Sequence, residues 1–326
     1  MDFKRVDEKG TLEAVCLIKS VEKRISSKGA PYLDIVIADK DEEMSAKLWD
    51  YREGLHDNFA PGDIVKIRGG KNIYNGSEQF KIDRILPVTA ADGVRMEDYV
   101  PSAPYSGEAM LAEVEAAAAS LADGELKALA FEMLGAWREK LLYWPAAFKL
   151  HHAVRGGLLY HTLAVLRLAE AVCAIYPFVD RDLLVAGVIL HDILKIGEFE
   201  VPNTGLASGY TTAGQLVGHL VSGAAALEKA GEKLGISSET LLLLEHMLIS
   251  HHGDPDFGAA VRPLTLEAEI LSQLDMLDAR VYQIAHALEQ TEKGAFTQRQ
   301  WAMEDRKFYQ HGRVRAKPEA ALIPEK

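Results

Sequence analysis

Eight of the eleven histidines in this 326-residue chain lie between His151 and His252, in stretches that are otherwise apolar. Histidine is neither a strong helix former nor a preferred core residue, so this placement needs a chemical reason. Within LLVAGVILHDILK the adjacent pair His191-Asp192 ends an apolar run, and Lys195 follows one turn later. An unpaired carboxylate in such a run costs several kcal/mol or more to bury, and a divalent cation is a fitting partner. His161, His219, His251-His252 and Asp275 lie in other apolar stretches and complete a set of ligand types. Imidazoles with a few carboxylates suit Mn, Fe, Co, Ni or Zn better than Ca. Seven ligands exceed what one ion accepts, so the expectation is two divalent transition-metal ions bridged by Asp192. Such a pair activates a water and holds phosphate oxygens. Lys195 is expected to act with Asp192 in catalysis by offsetting charge on the phosphate. No Ser/His/Asp arrangement and no Gly-rich phosphate loop competes with this chemistry.

His151, His152 and His246 sit near these ligands and are candidates for lining a substrate cleft. His56, His286 and His311 stand alone and read as packed or hydrogen-bonded residues.

The ligands need separate helices to converge. From Glu108 onward the pattern is helical, with Gly156-Gly157 opening and Pro177 closing the stretch that carries His161. Further helices are expected over 182–194, 214–234, 238–250 and 264–290. The first ninety residues read instead as strands: Leu12–Ile25, Tyr32–Ala38, Met44–Trp49, Asp63–Gly70 and Glu78–Pro87, separated by turn-forming pieces. The last two form a hairpin with Asn75-Gly76 at its tip. Five short strands with a longer break before the fourth suit a small Greek-key barrel of the OB type. The expected organisation is an OB-type β-barrel over 1–90 and a linker over 91–107, then an all-α helical bundle over 108–310 and a tail over 311–326.

The net charge is −12, with 15 Lys/Arg against 16 Asp/Glu in residues 1–90 and 21 against 32 in the rest. This argues against a general nucleic-acid coat protein. It does not exclude a nucleotide substrate, because bound cations supply the positive charge a phosphate needs. In the barrel, Lys66, Arg68, Lys71, Lys81 and Arg84 are candidates for a basic groove. Tyr32, Trp49, Tyr51, Tyr74 and Phe80 read more readily as packing than as base-stacking platforms. The longest apolar run, Leu183 to Leu190, is too short to span a bilayer. Cys16 and Cys173 read as free thiols, and with no secretory signal the expectation is a cytoplasmic protein.

The order His161, His191-Asp192, Asp275 resembles the HD superfamily of metal phosphohydrolases, and His219 with His251-His252 resembles its two-metal branch. Across the chain, HHAVRGGLLYHTLAVLRLA, YPFVDRDLLVAGVILHDILK, GQLVGHL, HMLISHHG and PLTLEAEILSQLDMLDA are similar to the bacterial YhaM-type 3′-to-5′ exoribonucleases, in which an OB-fold precedes the HD domain. The stretch TEKGAFTQRQWAMEDRKFYQ also looks familial. One departure is Leu194, where that family usually has Gly before the Lys. Cyclic-dinucleotide phosphodiesterases share the two-metal pattern but carry a Gly-Tyr-Pro motif that this chain lacks.

The resemblance implies an exonuclease that degrades single-stranded RNA or DNA and releases nucleoside 5′-monophosphates by a two-metal-activated water. Mn²⁺ is the first expectation for the metal. Two other readings stay open: a phosphohydrolase of small nucleotides, and a nucleic-acid-binding protein with a vestigial metal site. The expected partner is single-stranded RNA or DNA, with no membrane, and a homo-oligomer is left open.

Overall fold

A computed structural model describes residues 1–323 apart from Lys9, Asp41, Asn75, Leu150 and Arg315. It contains two compact units, Met1–Pro101 and Ser102–Lys326.

The first unit holds a two-residue strand β1 (Lys4–Arg5), then β2 (Leu12–Ile25), β3 (Pro31–Ala38), β4 (Glu43–Leu48), β5 (Ile64–Tyr74) and β6 (Ser77–Pro87). Strands β2, β3 and β4 form an antiparallel meander, β4 pairs with β6 in parallel, and β6 pairs antiparallel with β5. The sheet closes because β2 pairs twice. Leu12–Leu17 pair with β5, and after a register shift between Ile18 and Ser20 the remainder pairs with β3. This closed five-strand order is the OB-fold. Alternating inward residues fill it, among them Cys16, Ile18, Ile35, Ile37, Val65, Ile67, Phe80 and Ile82. The β5–β6 ladder runs on to Tyr74 opposite Ser77, four residues past the expected strand end at Gly70. Lys71 and Asn72 hide this continuation from an apolar pattern. The hairpin tip expected at Asn75-Gly76 lies partly outside the described residues, at Asn75.

The second unit is helical: α1 (Gly107–Ala119), α2 (Gly124–Leu141), α3 (Gly157–Ile175), α4 (Arg181–Leu190), α5 (Lys195–Glu198), α6 (Thr212–Leu216), α7 (Gly218–Leu234), α8 (Ser238–Ser250) and α9 (Leu266–Glu289). A small ribbon, β7 (Phe199–Glu200) with β8 (Gly209–Tyr210), interrupts an otherwise helical body. Ser106, Asp123, Asp180, Ser237 and Thr265 cap α1, α2, α4, α8 and α9 with their side-chain oxygens. The helix expected over 214–234 is two helices, because Gly218 is left-handed (φ 74°) and no α-helix passes through that conformation.

Helix α3 is long and apolar enough by composition to cross a membrane, which reading uninterrupted runs alone did not bring out. Gly157–Leu166 are all buried in the helical core, and the buried His161 lies among them. The segment at Leu322 also packs on this core. Leu322 is buried, its amide donates to the Tyr105 hydroxyl, and its carbonyl accepts from Arg167.

Gly157 shows how tightly the start of α3 is held. A Cβ there would stand 2.0 Å from the His152 carbonyl oxygen and 3.2 Å from the Ala146 amide nitrogen. Backbone atoms cannot swing aside, so Gly157→Ala is expected to destabilise the helical unit by about 3 kcal/mol, the upper end for overpacking. Urea unfolding checks this; an unchanged midpoint would contradict the packing described.

Candidate metal centre

The chain leaves α4 at Leu190 rather than continuing to residue 194. Ile193 donates to the Leu190 carbonyl and Lys195 to that of Asp192, tightening the backbone into a turn. The buried Trp144 indole donates to the Lys195 carbonyl at 3.0 Å and braces the turn. Leu194, with ordinary negative φ, is buried in the helical core. The larger residue therefore leaves Lys195 on the metal side, where its Nζ donates to Asp192 Oδ2 at 2.6 Å.

Asp192 stands at the centre, essentially inaccessible. Its Oδ2 lies 3.4 Å from His191 Nε2 and 3.7 Å from His161 Nε2. Its Oδ1 lies 3.3 Å from His219 Nε2 and 3.5 Å from His251 Nε2. Asp275 joins the first side, with Oδ1 3.1 Å from His161 Nε2. His252 joins the second, grouped with His219 and His251. All seven expected ligands thus come together, from α3, the turn after α4, α7, the end of α8 and α9.

The groups fit divalent cations on a specific observation. Asp192 Oδ1, His219 Nε2 and His251 Nε2 are buried and have no hydrogen-bond partner among the described residues. Three such buried atoms converging on one point are costly unless something binds them. The Nδ1 atom of each candidate ligand histidine is committed. His191 Nδ1 donates to the Val188 carbonyl, His251 Nδ1 to that of Leu248 and His252 Nδ1 to that of Phe257. His161 Nδ1 donates to Asp278 at 2.7 Å, and His219 Nδ1 donates to Glu198. Each ring is therefore oriented with Nε2 toward the centre, the arrangement by which a metal ligand is fixed in tautomer and direction.

Electrostatics agree with a cation site. Burial opposes the charge on Asp192, but Lys195 and the imidazoles outweigh it and hold the carboxyl well below its usual range. Burial keeps His251 neutral, with its pKa lowered to about 3, and neutral imidazole is the form that ligates metal. His161 differs. Burial pulls its pKa down, yet the hydrogen bonds to Asp275 and Asp278 prevail and raise it to about 10.

Asp278 and Glu198 were not among the sequence candidates. Asp278 accepts from both His161 and His152, and burial there is outweighed by these bonds, so its carboxyl is held below its usual range. The available signal was its position on α9, three residues after Asp275 and on a neighbouring face.

The remaining candidates divide. A cavity of about 330 Å³ opens onto the centre and is lined by His151, Lys195, His251, His252 and Asp275. His152 does not line it. That residue is buried under Tyr282 with its ring on Asp278, and it supports the centre from behind. His246 is also removed from it, because its Nε2 accepts from the Leu264 amide at 2.8 Å and joins α8 to the segment before α9.

In the barrel, Lys66, Arg68 and Arg84 share one depression with Glu13, whereas Lys71 and Lys81 do not line it. The expected basic groove is charge-compensated: Lys66 pairs with Asp92, Arg68 with Asp7, Lys71 with Glu78 and Lys81 with Asp83. Carboxylates and cations are almost equal in number here, and four of the five candidate cations have a carboxylate within reach. Phe80 is core, whereas Tyr32 and Trp49 stack face to face at 4.5 Å with Trp49 half exposed.

The HD domain family matches residues 158–280, the stretch that contains every ligand described. A 3′-5′ exoribonuclease YhaM from Geobacillus sp. is 38% identical over 298 residues, covering 91% of this chain and 91% of its own. The protein of that name from Bacillus subtilis is 37% identical, covering 90% and 92%. A third, from Listeria monocytogenes, is 36% identical, covering 92% and 95%. Similarity that spans barrel and helical unit alike, around a centre whose parts are all present, means that the chain belongs to the YhaM 3′-5′ exoribonuclease family of HD-domain proteins.

Proposed function

We propose that the protein is a metal-dependent 3′-to-5′ exonuclease that degrades single-stranded RNA and releases nucleoside 5′-monophosphates. The observation that carries this reading is the buried Asp192, whose two oxygens each face their own set of imidazole nitrogens, behind a cavity that His251, His252, Lys195 and Asp275 line. His161, His191 and Asp275 would hold one ion, His219, His251 and His252 the other, with Asp192 shared. Two bound cations, Mn²⁺ by first choice, supply Lewis acidity toward a water and the phosphoryl oxygens. Lys195, at the cavity wall and tied to Asp192, adds a fixed positive charge beside the phosphate. His151 lines the same wall as a neutral imidazole, its pKa lowered by burial to about 3. In the reaction, water adds to phosphorus, the P–O3′ bond breaks, and that oxygen leaves with a proton as the new 3′ hydroxyl.

The barrel's part is strand capture. Tyr32 on β3 and Trp49 just after β4 lie on the strands with which OB-folds bind oligonucleotides, and Lys47 sits 5.9 Å over the Tyr32 ring. The ion pairs of Lys66 and Arg68 are partly exposed and individually weak, so phosphates compete for these cations.

Incubation with Mn²⁺ and 5′-labelled RNA should give a ladder shortening one nucleotide at a time. Residues 102–326 alone should show a KM for a 20-nucleotide RNA raised by about tenfold, the scale of losing one or two stacked bases. Their hydrolysis of bis(p-nitrophenyl) phosphate should match the full chain. Binding of RNA without cleavage in Mn²⁺, Co²⁺ or Mg²⁺ would rule out the exonuclease reading in favour of a binding protein.

A further inference from the structure

The metal centre makes no use of residues 291–310, the stretch TEKGAFTQRQWAMEDRKFYQ. This stretch folds back on itself. Phe296 bridges to Tyr309 and Gln300 to Arg306, and the Thr297 amide donates to the Phe308 carbonyl. Its tip is a 3-10 turn, Trp301–Met303, followed by Glu304 and Asp305. Those two residues are both left-handed, with φ of 52° and 56°. Consecutive non-glycine residues in that region are strained and persist only where their surroundings hold them. Here Met303, 1% exposed, anchors the tip, and its carbonyl accepts from the Arg306 amide.

The tip forms part of the cavity that contains Lys195, His251, His252 and Asp275: Ala302, Met303 and Glu304 all line it. Helix α9 contributes Asp275, Met276, Ala279, Arg280 and Gln283, a single face by their spacing. Glu304 joins the two walls. One of its oxygens accepts from Arg280 Nη2 at 2.9 Å and the other pairs with Arg306 Nη2 at 2.7 Å. Two guanidiniums on one carboxylate leave a net positive charge beside an acidic metal centre. The Glu304 contact uses one corner of Arg280, and a guanidinium has donors left for a phosphate. Trp301, next in sequence to the lining residue Ala302, is 74% exposed, and a solvent-exposed indole is what a base-stacking platform needs.

We propose that the hairpin tip and the Arg280 face of α9 form the subsite for the 3′-terminal nucleotide, with Trp301 stacked on its base and Arg280 paired to a backbone phosphate. This rests on the exonuclease reading above. It gives the 291–310 segment a task that the metal centre alone leaves undone: holding the strand end in register while one nucleotide is removed.

The test uses the full chain with Mn²⁺ and two 5′-labelled RNAs, one unmodified and one lacking the base of its 3′-terminal nucleotide. Wild type should show a KM about tenfold higher for the abasic strand, the scale of one stacked base. Trp301→Ala should raise KM for the unmodified strand by about the same factor, with kcat within about threefold, and should no longer distinguish the two strands. Trp301→Phe, which keeps a ring, should recover most of the difference. Arg280→Ala should raise KM and reduce the slope of log KM against log salt by about one, as for one lost phosphate contact, with Arg280→Lys partly restoring it. If wild type cuts RNA but Trp301→Ala and Arg280→Ala keep its KM, discrimination and salt slope, the subsite is wrong and the exonuclease reading stands. If wild type cuts neither strand, both readings fall.

Discussion

Replacing Asp192 with asparagine is expected to lower phosphodiester hydrolysis by about 10³-fold or more, at least the loss seen when a group stabilising developing charge is removed. Asp192 is the residue whose two oxygens face both halves of the centre, each within 3.7 Å of two imidazole nitrogens. An amide presents one oxygen and one NH₂, so it cannot serve both halves as an anion. Asparagine is the better variant because alanine would strand the buried Lys195 ammonium, whose 2.6 Å partner is this carboxylate. Breaking a buried pair by deleting one partner costs about 3–5 kcal/mol, enough to confuse lost chemistry with lost folding. Elemental analysis should show less than the wild-type metal content in a protein whose circular dichroism is unchanged. Wild-type turnover of Asp192→Asn at saturating Mn²⁺ would exclude Asp192 as the shared ligand.

Asp278→Ala should weaken metal binding by about 100-fold, the upper range for a residue that orients a metal-bound histidine. Asp278 touches none of the atoms that would contact an ion's open side. It holds His161 Nδ1 at 2.7 Å and His152 Nε2 at 2.8 Å, so its loss frees the His161 ring and leaves two buried nitrogens without an acceptor. Glu198 has the corresponding place behind His219. The two carboxylates lie behind opposite sides of Asp192, so their removal should affect different ions. Titration with Mn²⁺ should show one of two binding steps weakened in Asp278→Ala and the other in Glu198→Ala. Asp278→Asn keeps an acceptor oxygen and should lose less. Wild-type titration curves for both alanine variants would show that these carboxylates do not position the ligands.

The seven side chains that the structure brings together around Asp192 were legible in the chain itself, in type and in order. A histidine or aspartate that ends an apolar run must be buried, and burial of such groups demands a partner, so LLVAGVILHDILK and LLLLEHMLISHHG announce their chemistry locally. The barrel was legible for a similar reason, since period-two alternation marks the inward faces of β2 to β6. Periodicity says which face of a helix is buried but not what a polar residue on that face will meet. Asp278 and Glu198 became part of the centre only because α9 packs beside α3 and the end of α5 beside α7, contacts between residues 117 and 21 positions apart. His152 and His246 show the converse: within nine residues of a candidate ligand, they do not line the cavity, His152 itself being left-handed and His246 being held by a helix-to-loop hydrogen bond. The barrel's cations were visible as residues, but their carboxylate partners are set by strand register and by the flanking segments. The tip at Trp301–Asp305 reaches the metal cavity through pairing across the 295–310 hairpin and the anchoring of Met303, a placement decided by tertiary packing because no local pattern encodes which cavity a loop will border.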